Sequence, residues 1–194
     1  VDALRLVSPR YASLRHPSDA LSCDIFTAAA RAVRSHPELF GGDAPQRLVG
    51  VGYSQSAVRL ATYVNAWAQD DPAFDGFVLQ GRFTAGAPAG EGVMLTTPTR
   101  IRDDAARPVF QLQTQSEVGM DLDALFHGVG TWAAVRQPDV GNVHTWEVPG
   151  AAHVDRFALS GGALDGFGAP TQGPCGAPIN TFPLHYATAA AFDA

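Results

Sequence analysis

The chain has 194 residues, of which 46% are hydrophobic and 16% charged, with 20 glycines and 14 prolines; this excludes a disordered chain and describes one turn-rich globular domain. All 13 basic residues are arginine, and 19 acidic residues leave a net charge of −6, so nothing here offers a nucleic-acid backbone a broad cationic surface. No apolar run approaches the roughly 18 residues of a membrane span, and Cys23 and Cys175 lack metal-type spacing and permit at most one bridge.

The start, VDALRLVSPRY, shows no basic stretch followed by an apolar run. Both ends read as cut within patterned segments, which is compatible with a signal peptide removed upstream and sets no compartment. The first clear element is DALSCDIFTAAARAVR, 19–34, where Ile25, Phe26, Ala29, Ala30 and Val33 recur at helical spacing, with Asp19 or Ser22 as cap and His36-Pro37 as terminator. Leu48, Val49 and Val51 then form a short apolar run, a buried strand over 47–52. Directly behind it Ala57, Leu60, Ala61, Val64 and Trp67 carry the i, i+3, i+4 pattern of an amphipathic helix, closed by Asp70-Asp71-Pro72.

GFVLQG (76–81) is a second strand, and the Gly/Ala/Pro-rich segment behind it, within 82–100, is expected to be a lid or loop insertion. RPVFQLQTQ (107–115) and NVHTWEVPG (142–150) supply a third and a fourth strand, and 121–137 a broken helix between them. A loop-rich excursion over 151–183 forms a wall for a binding site and leads to a terminal helix. Alternation of this kind predicts an α/β fold, a parallel sheet flanked by helices, in one domain spanning 1–194.

Chemistry concentrates at Gly52-Tyr53-Ser54-Gln55-Ser56, between a strand end and a helix start. A serine held in such a tight strand-to-helix turn needs small residues two places to either side, which is the nucleophile-elbow pattern. This is the single Gly-x-Ser of the chain. The competing structural role is a helix N-cap.

A serine hydroxyl needs a histidine to take its proton and a carboxylate to orient that histidine. Of six histidines, His16 and His36 precede prolines, His127 lies in the broken helix, His144 within a strand and His185 at the terminal helix; only His153 stands in a small-residue loop just after a strand. Glu117, Asp121 and Asp123 all follow the third strand, and closeness to the strand end favours Glu117. Asp121 and Asp123 also suit an acidic first helical turn. Asp155 is too near His153 to orient it and is expected to make a local turn contact. One oxyanion donor is the backbone N–H of Gln55 at the helix start; no HGGG-like segment upstream of the elbow offers a second.

Through GYSQS, the strand-end Glu117 and PGAAH the chain resembles the α/β-hydrolase superfamily. YASLRHPSDALSCDIF, RPVFQLQTQSEV and VPGAAHVD are similar, more narrowly, to the alpha/beta hydrolase domain-containing protein family. That resemblance implies a carboxylesterase-like activity with Ser54 as nucleophile, Glu117 as acid and His153 as base. It also implies a C-terminal half of the hydrolase domain, lacking the N-terminal strands. An exposed sheet edge would then favour self-association and poor solubility. Two departures stand out: Ser56 replaces the usual Gly, and Glu117 the commoner Asp, about 1.5 Å longer.

The leading functional expectation is a serine esterase acting on an uncharged or modestly apolar small-molecule ester, with no cofactor and no metal. The alternative is a hydrolase-fold binding module without activity. A metal hydrolase built on His153 and Asp155 with His127 or His144 lacks the H-x-x-x-H or H-E-x-x-H spacing.

Overall fold

The computed structural model describes residues 6–90, 98–119, 130–160, 176 and 178–193. Asp121, Asp123, His127, Cys175 and the 91–97 part of the expected insertion lie outside them. Among the described residues four strands form one parallel sheet in the order β1 (Val49–Tyr53), β2 (Gly76–Gln80), β3 (Val109–Thr114), β4 (Val143–Val148). Each connection moves to the adjacent strand in the same direction, pairing Val49 with Gly76, Phe77 with Val109 and Val109 with Val143.

Helices cover both faces. On one face α1 (Ser22–Ser35) and α2 (Gln55–Ala66) share one apolar cluster with Phe77, Leu79, Val109 and Val143. Alternation turns Val78 and Phe110 to the other face, where they line a groove with Ala191 and Phe192 of α5 (Leu184–Asp193). Thr188 of α5 donates to the Gln80 side chain at 3.1 Å.

The core lies between the sheet and the first pair of helices. Phe26, Tyr63, Phe74 and Phe77 form an aromatic cluster with centroid separations of 4.5 to 5.9 Å. Such pairs contribute about 0.5–1.5 kcal/mol each beyond area burial. Close approach explains two glycines of β1. A Cβ on Gly50 would stand 2.8 Å from the Phe77 ring, and one on Gly52 would stand 2.7 Å from the Ser56 carbonyl oxygen and 2.8 Å from Ala57 backbone atoms.

The first helix departs from its apolar periodicity. Ile25 and Ala29 are exposed, while Cys23, Thr27 and Ala30 are buried. The reason is a hydrogen bond of 2.7 Å between Thr27 Oγ1 and the Tyr63 hydroxyl, which satisfies two buried polar groups inside the core. Neither expected cap starts α1: residues 19–21 form a 3-10 turn capped by Ser18, and α1 continues from it. Cys23 is a free thiol, pushed up by burial. The strands shift by a residue or two from their expected limits, β1 is not a buried strand but leaves Val49, Val51 and Tyr53 exposed on one face, and Glu117 sits on a short helix, α3 (Gln115–Gly119), where a loop was expected.

Residues 82–90 pack onto α2. Thr62 Oγ1 donates to Ala87 O at 2.7 Å, Arg59 donates to Pro88 O at 2.8 Å, and Ala85 bridges to Pro98. No helix among the described residues is long and apolar enough to cross a membrane.

Candidate active site

The C-terminal ends of β1 to β4 carry the site. Ser54 follows β1 directly, with φ 58° and ψ −122°, the only non-glycine residue of positive φ among the described residues. This conformation costs about 1–3 kcal/mol and persists only where surrounding contacts impose it. Here Ser54 N–H donates to Gln80 O at 2.9 Å, and Val58 N–H donates to Ser54 O at 3.1 Å. The Ser54 side chain makes no capping bond to α2, so its hydroxyl is left for other chemistry. Ser56 closes the turn: its Oγ accepts the Tyr53 N–H at 3.0 Å and donates to Tyr53 O at 2.7 Å.

Three side chains from distant parts of the chain meet here. Ser54 Oγ lies 2.9 Å from His153 Nε2, and His153 Nδ1 lies 2.6 Å from Glu117 Oε1. Glu117 is fully buried. Its other oxygen, Oε2, accepts both the Thr114 N–H and the Thr114 hydroxyl at 2.7 Å. The Thr114 hydroxyl in turn accepts the Ser116 N–H at 3.2 Å. With both Glu117 oxygens accepting, Nδ1 is the protonated ring nitrogen of His153 and Nε2 is left to accept the Ser54 hydroxyl proton.

The loop after β4 is laced to α3. Gly150 N–H donates to Gln115 Oε1 at 2.8 Å, Gln115 N–H to Ala151 O at 3.1 Å, and His153 N–H to Ser116 Oγ at 3.0 Å. Asp155 takes a separate role: Oδ1 caps α4 (Arg156–Leu159) by accepting Ala158 N–H at 2.8 Å, and Oδ2 accepts Leu184 N–H at 3.2 Å.

The elbow's own Tyr53 and two residues outside any motif, Gly81 and Phe83, surround the imidazole. The Tyr53 ring stacks on it at 5.0 Å, and the Tyr53 hydroxyl donates to His153 O. Burial pushes the Tyr53 phenol up to about 12, assisted by Glu117 and Asp155, so it remains a donor at any ordinary pH. Phe83 lies 5.4 Å away, and Gly81, with φ +63°, sits close enough that a Cβ would fall 3.0 Å from Nδ1. The sequence signal for Gly81 was confined to a strand end, and Thr114 and Ser116 carried none.

Gln55 opens α2, where the backbone N–H has no intrahelical acceptor and faces the helix N-terminus beside Ser54. His144 lies on β4, with Nδ1 3.4 Å from Asp139, and His16 and His36 pair locally with Asp19 and Glu38. Among the described residues no group of three or more His, Cys, Asp or Glu is placed to hold a metal ion.

No curated protein and no solved structure matches the chain. A family model described as alpha/beta hydrolase domain matches residues 1–194. A parallel sheet flanked by helices agrees with that match, and the chain belongs to the alpha/beta hydrolase domain family.

Proposed function

We propose that this hydrolase-fold protein is a serine hydrolase of the carboxylesterase type, with Ser54 as nucleophile, His153 as general base and acid, and Glu117 as the carboxylate that orients it. The observation that carries this reading is the continuous chain from Ser54 Oγ to His153 Nε2 at 2.9 Å and from His153 Nδ1 to Glu117 at 2.6 Å. The positive φ of Ser54 supports it. Ser54 Oγ attacks the ester carbonyl carbon as its proton passes to His153 Nε2; the imidazolium is held against Glu117. The oxyanion forms beside the Gln55 N–H. Collapse breaks the bond to the alkoxy oxygen, which takes the proton from Nε2 and departs as alcohol. Water then gives a proton to Nε2 and attacks the acyl-enzyme, and the acid is released with Ser54 restored.

Tyr53, Phe83, Ala151 and Ala152 flank the reacting residues, surroundings that suit an uncharged or modestly apolar ester. The test is intact-mass spectrometry after incubation with a fluorophosphonate, on the parent and on Ser54→Ala, followed by a panel of uncharged esters. One adduct on the parent, none on the variant, and turnover of at least one ester are the expected results. A folded parent that takes no label overturns the reading.

A further inference from the structure

We propose that Tyr53 and Phe83 are positioning residues for His153: the two rings, with the bare Cα of Gly81 between strand end and imidazole, hold the ring in the orientation that points Nε2 at Ser54. This rests on the reading of Ser54 and His153 above and deepens it.

The His153 loop supplies little of its own to fix a side chain, because the residues before it are Gly150, Ala151 and Ala152. Its backbone is tied at two points, by Ser116 Oγ on His153 N–H at 3.0 Å and by the Tyr53 hydroxyl on His153 O. A tied backbone leaves the imidazole free to turn about its last torsion, which for histidine is broad. The hydrogen bonds to Glu117 and Ser54 and the surrounding rings together remove that freedom. Tyr53 lies nearly parallel to the imidazole, at 17° and 5.0 Å, and Phe83 lies at 41° and 5.4 Å. Gly81 completes the enclosure, since a Cβ there would stand 3.1 Å from His153 Cε1 and 3.3 Å from Tyr53 Cε2.

Both rings are themselves anchored. Tyr53 precedes Ser54 in the same turn, so the backbone that strains the nucleophile also sets the wall on which the base rests. Phe83 follows Arg82, whose fully buried guanidinium donates to Gln111 Oε1 at 3.0 Å and to Thr99 O at 2.8 Å, fastening 81–83 to β3 and to Thr99. Tyr53 therefore has two separable functions: its ring sets the imidazole plane, and its hydroxyl holds the loop carbonyl.

The experiment compares Tyr53→Phe, Tyr53→Leu and Phe83→Leu in the whole chain, reading kcat and KM with p-nitrophenyl acetate, the melting temperature, and the proton NMR signal of His153 Nδ1–H, which a short bond to Glu117 displaces far downfield. Misplacement by about 1 Å costs on the order of 100-fold. Tyr53→Leu is expected to lower kcat about 10- to 100-fold with KM nearly unchanged and to broaden or lose the downfield proton. Tyr53→Phe, which keeps the ring, restores the signal and most of kcat. Folded Tyr53→Leu and Phe83→Leu variants that retain the parent's kcat and proton signal overturn the proposal. If Tyr53→Leu does not fold, Phe83→Leu decides it in the same way. If the parent hydrolyses no ester, the NMR comparison still tests the cage, so failure of the activity reading and failure of this one are distinguishable.

Discussion

Ser56 hydrogen-bonds both the N–H and the C=O of Tyr53, at 3.0 and 2.7 Å, so the strained turn around Ser54 is closed by the side chain that replaces the usual glycine. A glycine at this position would leave both Tyr53 groups to other partners. Ser56→Ala is therefore expected to lower stability by about 1–2 kcal/mol, the loss of two hydrogen bonds to one hydroxyl. Urea unfolding of parent and variant measures it, and equal midpoints would show that the hydroxyl does not support the turn.

Glu117 and Asp155 are both buried carboxylates near His153, yet only Glu117 hydrogen-bonds the imidazole. Glu117→Gln is expected to lower kcat by about 10³–10⁴-fold, because an amide fails to hold the Nδ1–H tautomer. Asp155→Ala loses a helix cap and one of the two acceptors of the Leu184 N–H, which keeps the Phe182 carbonyl at 2.8 Å, for about 1–2 kcal/mol of stability, with kcat within about tenfold of the parent. The reverse ranking in steady-state kinetics would move the orienting role to Asp155.

Gly81→Ala combines two penalties. At φ +63° an alanine costs roughly 1–2 kcal/mol, and its methyl carbon would press on His153 Nδ1 at 3.0 Å. We expect a modest fall in melting temperature together with at least about a tenfold fall in kcat. A variant that loses stability alone would show that His153 yields without consequence.

Asp75 ties the entry of β1 to the body of the domain, accepting Leu48 N–H at 2.6 Å and Arg34 at 2.5 Å. Burial alone would raise this carboxyl, but the Leu48 N–H and the Arg34 guanidinium outweigh it, and the net displacement is downward from 3.8. A carboxyl lowered in the folded state stabilises the fold above its unfolded value and loses that contribution as pH falls below it. Asp75→Asn should thus be less stable than the parent by about 1 kcal/mol at neutral pH, a small figure because the side chain is partly exposed. The difference should shrink below about pH 3.8. Chemical unfolding at neutral and acid pH checks it, and a difference independent of pH would remove the carboxylate from the account.

Much of the fold was legible because its signals are local. Short apolar runs bounded by turn residues marked the four strands, and Ala57, Leu60, Ala61 and Val64 marked the buried face of α2, which also takes in Val58 and Tyr63 and ends just before Trp67. The face of α1 was not, because Thr27 is buried through a partner 36 residues away, and periodicity counts a threonine as polar. In the site, Gly52 and Ser54 announced themselves through the spacing that a tight strand-to-helix turn demands.

Residue order carries the parallel α/β plan and the tight turn that presents Ser54, since alternating apolar runs and small residues around a serine are signals of a few neighbouring residues. Folding brings Glu117 to His153 across 36 residues and Ser54 to it across 99, and encloses its ring with Tyr53, Gly81 and Phe83. Those contacts depend on which strands lie side by side and where each one ends, and the register of a parallel sheet is set by the packing of all its strands and helices together.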